Sequence, residues 1–363
     1  MPDIPPLLPN SHQALLRNLP AAPGRLALLG VTDPRLLMAL PGGGLAFTEH
    51  YGVLQQLKVR PDWQAAFGYE DPGLMPDSMD SVVVFMPKAR SELTLRLALA
   101  AHLLREGGRV ILIGEKREGI AGAVKQLKAM ASDAVKLDSA RHCQVWMGEP
   151  QRPESMGPAV AAFDIGQWLS WHQVEAAGVT LEVAGLPGIF SEGRLDDGTR
   201  LLLEALADMD LSGPVLDFAC GAGTIGAWLH CHSAGRLAID GVDVQAQAVL
   251  CARQTYERAG VKGEIRASDG LPAEAGRYAT IVSNPPFHTG VKTDLSMTTR
   301  FLQQAEKHLA VRGDLVLVAN RFLPYAELLE KHIGACRVLS SNDRYTVYHA
   351  CRRLAVRHRN TDG

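Results

Sequence analysis

Asn284-Pro285-Pro286-Phe287, followed by His288, concentrates more chemistry than any other run of this 363-residue chain. It closes the stretch Ile281-Val282-Ser283, which reads as a strand end. Proline cannot donate to a sheet ladder, so the strand must stop where the pair begins. A residue before proline is held extended, which fixes Asn284. The corner offers an amide oxygen, backbone carbonyls without neighbouring N–H competitors, and a flat ring. That set suits holding a planar, nitrogen-bearing group against a reaction partner. Taken alone, it is equally a stiff turn that happens to contain two prolines.

Upstream, residues 214–226 read as strand, glycine-rich turn and helix start, with Gly221-x-Gly223-x-x-Gly226 preceded by Asp217. Such glycines let backbone approach a ligand closely, and helix N-terminal amides favour anions. The spacing fits a dinucleotide fingerprint, with Asp243 about twenty residues on. A carboxylate at Asp217, however, would repel a pyrophosphate and attract an amine-bearing ligand. Joined to the Asn284 corner, it favours S-adenosylmethionine. The amino-acid part would lie over the turn, Asp243 would accept ribose hydroxyls, and Asp269 would face the adenine amino group. All three acids fall at carboxyl ends of strands, where such sheets bind ligands; each could instead cap a helix.

The corner then has a task. An exocyclic amine is a poor nucleophile because its lone pair is delocalised into the ring. The Asn284 amide oxygen and the Pro285 carbonyl can accept its two N–H bonds. Phe287 can stack on the base, a contact worth about 1–3 kcal/mol. Catalysis is positioning and dipole alignment. His288 could take the released proton, although a histidine beside a turn is more commonly solvated. The corner alone fits exocyclic amines of adenine or guanine, and even a glutamine side-chain amide.

These residues need a scaffold. Strand and helix alternate along the chain, which implies a parallel, doubly wound α/β sheet. An internal repeat is visible: residues 81–87 match 280–286, 105–108 match 312–314, and the hairpin-like 135–147 matches 338–349. The first copy keeps a single glycine, Gly30, in its turn, and Met86-Pro87-Lys88 replaces the corner. Two copies of one fold are expected, with chemistry only in the second. Prolines at 150, 153 and 158 mark a change of composition. The expected organisation is a domain over 1–150, a linker over 151–178 and a second domain over 179–363.

With 47% apolar and 21% charged residues, two cores can be built. A net charge of −2 argues against binding nucleic acid through overall basicity, but not against a local patch. No run approaches the roughly 18–20 apolar residues of a membrane span, and the start is no signal peptide, so a cytoplasmic protein is expected. Six cysteines without a C-x-x-C pair suggest reduced thiols. His230-Cys231-His232 cannot converge on one ion from a helix end, so no metal is expected. Candidate phosphate contacts are Arg194, Arg200, Lys292, Arg300, Arg321, and the tail Arg352, Arg353, Arg357 and Arg359. Arg321 and the tail are expected near the sheet's functional edge.

Residues 186–191 (Leu-Pro-Gly-Ile-Phe-Ser), 216–223, 283–288 and 319–325 resemble the RsmC family, bacterial small-subunit (16S) ribosomal RNA guanine-N2 methyltransferases. Residues 114–117 and 136–143 are similar too, so the resemblance covers nearly the full chain. It implies two tandem Rossmann-like class I methyltransferase domains, the N-terminal copy degenerate. It also implies S-adenosylmethionine as cofactor and 16S rRNA in the small ribosomal subunit as partner; neither membrane nor metal is expected, and a monomer is. Carried onto matching positions, the catalytic residues are Asn284, Pro285, Pro286 and Phe287. Cofactor contacts fall on Asp217, Phe218, Ala219, Cys220, Gly221, Gly223, Asp243, Asp269 and Asn284. Substrate contacts fall on Phe190, Phe287, His288 and Arg321.

Two departures stand out. Phe218-Ala219 occupies a place where the family often has Val-Gly, and Asp269-Gly270 one where it has Asn and an apolar residue. The second weakens the adenine-side role of Asp269. A sister family acting on guanine-N2 of large-subunit RNA shares the motifs. A protein-glutamine methyltransferase and a non-catalytic RNA-binding protein with two worn folds are the remaining readings.

Overall fold

The computed structural model describes residues 8–58, 60–150, 163–285 and 295–353. Its contacts divide the chain into two units, Met1–Leu169 and Ser170–Gly363. Among the described residues, no helix is long and apolar enough to cross a membrane.

The first unit comprises α1 (Asn10–Arg17), β1 (Leu26–Leu29), β2 (Gly44–Thr48), α2 (Tyr51–Leu57), β3 (Trp63–Phe67), β4 (Met79–Phe85), α3 (Arg90–Leu103), β5 (Leu104–Glu115), α4 (Ile120–Met130), β6 (Val135–Asp138) and β7 (Cys143–Gly148). Among the described residues its strands form one sheet in the order β3-β2-β1-β4-β5-β7-β6. Val82, Val83 and Val84 of β4 have no exposed surface, as a central parallel strand covered on both faces requires. The sheet is mixed rather than wholly parallel: β7 runs antiparallel to both β5 and β6. Residues 139–142 are too few for a crossover, so β6 and β7 must pair as a hairpin.

The second unit opens with a hairpin of β8 (Ser170–Ala176) and β9 (Val179–Gly185), turned at Ala177 and Gly178. Both turn residues have positive φ, the geometry that matches strand twist in a two-residue turn. Residues 170–178, expected in the linker, therefore belong to this unit. Trp228 Nε1 donates to the Ala176 carbonyl at 2.9 Å, and the Arg258 guanidinium lies 4.0 Å over the Trp171 ring. The strand is hard to recognise in sequence behind a proline-rich stretch, because Val174 and Ala176 are its only buried residues. The stretch 151–162 lies outside the described residues.

There follow α5 (Asp197–Ala207), β10 (Val215–Phe218), α6 (Thr224–His232), β11 (Ile239–Asp243), α7 (Ala246–Ala259), β12 (Ile265–Ala267), β13 (Tyr278–Ser283), α8 (Leu295–His308), β14 (Leu309–Asn320), α9 (Tyr325–His332), β15 (Cys336–Ser341) and β16 (Tyr345–Cys351). The sheet order is β12-β11-β10-β13-β14-β16-β15, the first unit's order strand for strand. The internal repeat is a duplicated fold. From β12 to β14 neighbouring strands are parallel, so their carboxyl ends share one edge.

Candidate active site at the carboxyl edge of the second sheet

Register sets the row of functional groups. Phe218 pairs with Val242 on one side and Ser283 on the other. The next residues, Ala219, Asp243 and Asn284, therefore leave the sheet side by side. Ser283 Oγ donates to the Phe218 carbonyl at 2.8 Å and ties the two strand ends together.

Asp217 lies beneath the glycine turn with no exposed surface. Its Oδ2 accepts the Gly226 N–H at 3.0 Å, fixing the start of α6, while Oδ1 has no partner among the described residues. Burial, opposed by the Gly226 bond and reinforced by the Asp243 charge, pushes this carboxyl up to about 8. Asp243 is held open-armed by backbone: Oδ2 accepts the Gly221 N–H at 2.9 Å and Oδ1 the Gln245 N–H at 2.9 Å. A Cβ on Gly221 would meet nothing within 4 Å, so the outer face of the turn is open. At Gly226 a Cβ would lie 1.8 Å from the Tyr256 hydroxyl, so that glycine serves the packing of α6 on α7.

Not every residue of the turn faces outward. The Phe218 ring stacks on Phe301 with centroids 4.3 Å apart. Cys220 is buried, which raises its thiol well above the ordinary range and leaves it no nucleophile. Any ligand contact by these two runs through their backbone. Ala219 adopts φ 55°, the left-handed region where a Cβ is penalised by roughly 1–2 kcal/mol. Ala219→Gly should therefore raise the unfolding free energy, and the denaturation midpoint with it, by about 1 kcal/mol or less in free energy because glycine also loses more entropy on folding. An unchanged or lowered midpoint would show that the surrounding turn has absorbed the strain.

Asn284 is half-buried; its Nδ2 donates to Thr199 Oγ1 at 2.9 Å and lies 3.4 Å from Asp196 Oδ1. Neither partner was expected, because α5 precedes the glycine turn and nothing local links it to residue 284. Pro285 is buried beside it. Pro286, Phe287 and His288 lie outside the described residues, as does Lys292. Asp269 follows the end of the outer strand β12 and its carboxylate sits 4.0 Å from the Arg300 guanidinium. Two aromatic rings flank the row. Phe190, 69% exposed, sits in a turn tied to the Asp243 side through Gln245 Nε2, which donates to the Gly188 carbonyl at 3.0 Å. Phe322, 80% exposed and not expected, follows Arg321 at the end of β14, where the Arg321 N–H donates to the Arg344 carbonyl at 2.9 Å.

The basic tail is a correction. Asp314 pairs with Cys351, so antiparallel β16 delivers Arg352 and Arg353 to the amino ends of the parallel strands, opposite Asn284. Arg352 donates to the Leu309 carbonyl at 2.6 Å, and Arg353 to the Glu330 carbonyl. Arg357 and Arg359 lie outside the described residues. Among the described residues, Arg321 is the favoured cation that stands at the carboxyl edge, because β14 ends there.

The first unit shows what became of the same edge. By register, Gly30, Thr48 and Phe85 stand where Ala219, Asp243 and Asn284 stand in the second. Into that space α3 sends Arg96. Its guanidinium forms a bidentate pair with Glu49 (2.7 and 3.0 Å), reaches Glu92 at 2.9 Å and donates to the Phe85 carbonyl at 2.6 Å. Tyr69 completes the cluster through Glu49 at 2.9 Å. A Cβ on Gly30 would lie 2.2 Å from the guanidinium. The worn copy has lost its turn acid, and an internal cation fills the vacated edge.

A family model described as methyltransferase small domain matches residues 180–349, and one described as its N-terminal domain matches 12–170. Ribosomal RNA small subunit methyltransferase C of Pseudomonas paraeruginosa is 43% identical over 338 residues, covering 93% of this chain and 96% of the relative. The Hahella chejuensis protein of that name is 38% identical over 351 residues, covering 95% and 99%. The T. thermophilus 16S rRNA N2 methyltransferase RsmC, solved with AdoMet and guanosine, superposes with a TM-score of 0.80 at 26% identity, covering 95% and 92%. Relatives this similar over nearly their whole length leave one conclusion: the chain belongs to the ribosomal RNA small subunit methyltransferase C family.

Proposed function

We propose that this chain transfers a methyl group from S-adenosylmethionine to the exocyclic N2 amine of a guanosine in 16S rRNA, at the carboxyl edge of its second sheet. One observation carries the reading: the open Gly221 turn, Asp243 and Asn284 leave the sheet as neighbours above a buried acid with an unpartnered oxygen. The donor set fits the cofactor. Asp243 presents carboxylate oxygens for ribose hydroxyls, the turn admits close backbone approach, and Asp217, once ionised, favours an ammonium above it. S-adenosylmethionine supplies an electrophilic methyl group.

The chain supplies the geometry. Asn284 Oδ1 and the Pro285 carbonyl accept the two N2–H bonds, which turns the amine lone pair toward the methyl carbon. As the new N–C bond forms, the methyl–sulfur bond of the donor would break with its electron pair left on sulfur; one N–H proton leaves to solvent and no strong base is required. The base must leave its helix to reach this edge. Phe190 and Phe322 are placed to stack on flanking nucleotides, and Arg321 to meet a phosphate. Phe287 is proposed to stack on the target base. A monomer working among cytoplasmic ribosomes is part of the proposal. The small subunit is favoured over the large because the relatives are named for it.

Mass mapping of methylated nucleosides in ribosomal RNA, with and without the gene, tests the reading. N2-methylguanosine should vanish from one 16S position and return with the wild-type gene. Loss from 23S rRNA, or of another methylated base, would overturn it.

Cofactor affinity should also depend on pH. A cation over the turn favours ionised Asp217, whose carboxyl holds its proton until about pH 8 in the free protein. Binding should therefore release protons and tighten by about tenfold from pH 6 to pH 8. Calorimetry in buffers of different ionisation heat reads both, and Asp217→Asn should flatten the profile. A pH-independent affinity in the wild type would remove Asp217 from cofactor recognition.

A further inference from the structure

The Asn284 amide is useful to an amine only with its oxygen outward, and an amide can rotate end for end. What prevents rotation is α5. Asp196 caps that helix, its Oδ1 accepting the Gly198 and Thr199 N–H groups at 3.0 and 3.1 Å. The same Oδ1 lies 3.4 Å from Asn284 Nδ2, and Thr199 Oγ1 accepts from Nδ2 at 2.9 Å. A carboxylate oxygen has no proton to give, so the amide NH2 must face α5 and the oxygen must face away. Thr199 is buried and half-buried Asn284 reaches it across 85 residues of sequence.

The start of α5 is anchored from its other side as well. Asp197 pairs with Arg344 at 2.9 Å, and the Tyr345 ring lies 3.3 Å from a Cβ built on Gly198. Both partners come from the loop and strand that meet the end of β14, so the amide is held by a braced helix terminus rather than a mobile loop.

We infer that Thr199 and Asp196 are positioning residues for methyl transfer, locking the Asn284 amide with its oxygen toward the substrate amine. The inference rests on the role given to Asn284 above. A rotated amide would aim N–H at N–H and withhold the acceptor, so losing the lock should cost turnover and spare cofactor binding.

The test compares Thr199→Val, Thr199→Ser, Asp196→Asn and Asn284→Ala in the full-length protein, with kcat and KM on ribosomal subunits and S-adenosylmethionine affinity by calorimetry. Thr199→Val keeps shape and loses the hydroxyl; kcat should fall about tenfold or more with cofactor affinity within about twofold. Thr199→Ser should restore most of it. Asn at 196 still caps the helix but can turn its own NH2 toward Asn284, so kcat should fall again. Wild-type kcat in both Thr199→Val and Asp196→Asn beside an inactive Asn284→Ala would overturn the positioning role and leave the corner intact. An active Asn284→Ala would overturn the corner, and this inference with it. If Thr199→Val fails to fold, Asp196→Asn and Thr199→Ser decide alone.

Discussion

Asn284→Ala should lower turnover by about 100-fold or more, the scale set by removing one preorganised hydrogen-bonding group from a developing charge. Cofactor affinity should stay within about threefold, because Asp243 and the Gly221 turn keep their own backbone partners. That split is the signature of a group felt chiefly in the transition state. Asn284→Asp sharpens the argument. It retains an acceptor oxygen but sets a second carboxylate against Asp196, which already accepts two N–H groups. Repulsion should swing the new side chain outward, so activity should stay well below wild type despite the oxygen. Single-turnover transfer of labelled methyl to ribosomal subunits measures both variants. A turnover above about a tenth of wild type for Asn284→Ala would refute the corner mechanism.

The row of groups was legible because each is signalled locally. A glycine turn after a short strand that carries an acid, an acid ending the next strand and an amide before two prolines are all short-range patterns. Parallel strands in a known order then bring them together without further information. The lock on Asn284 was not legible, since Thr199 and Asp196 look like an ordinary helix start and meet Asn284 only through the fold. Nor was the place of Arg352 and Arg353: arginines near a terminus say nothing of strand direction, and antiparallel β16 carries these two to the opposite edge.

Short elements were the other loss. β2 and β3 each span five residues, the first behind Gly42-Gly43-Gly44 and the second with only two buried positions. Neither shows a period that a reader of sequence could separate from loop. β8 alternates weakly because its outward residues include Trp171 while Ser170 and His172 share the face of the buried Val174 and Ala176. The duplication supplies what periodicity cannot. Once 81–87 is matched to 280–286, β11 and β12, which lie on the other side of β10, demand counterparts on that side of β1, and β2 and β3 are what fill those places.

The largest stability effect is expected in the first unit. Arg96→Met should destabilise it by about 3–5 kcal/mol, the cost of leaving buried carboxylates without their cation. Glu49 and Glu92 are each less than 10% exposed, and among the described side chains only Tyr69 would remain as a donor to Glu49. Burial already pushes the Glu92 carboxyl up to about 7 even with Arg96 beside it. The folded value lies above the ordinary one, so Glu92 favours the folded state most at low pH and loses that benefit as pH rises through 7. In Arg96→Met the loss should begin at lower stability and the variant should be most fragile above pH 7. Adding Glu49→Gln and Glu92→Gln removes both charges, and the triple variant should recover much of the lost stability, because an entire buried ion network costs little to replace while half of one costs much. Denaturant unfolding of the full-length protein, followed by hydrogen exchange at β1, β2 and β4, reads the effect where it arises. A single variant as stable as wild type would mean that Arg96 fills space at that edge without holding it together.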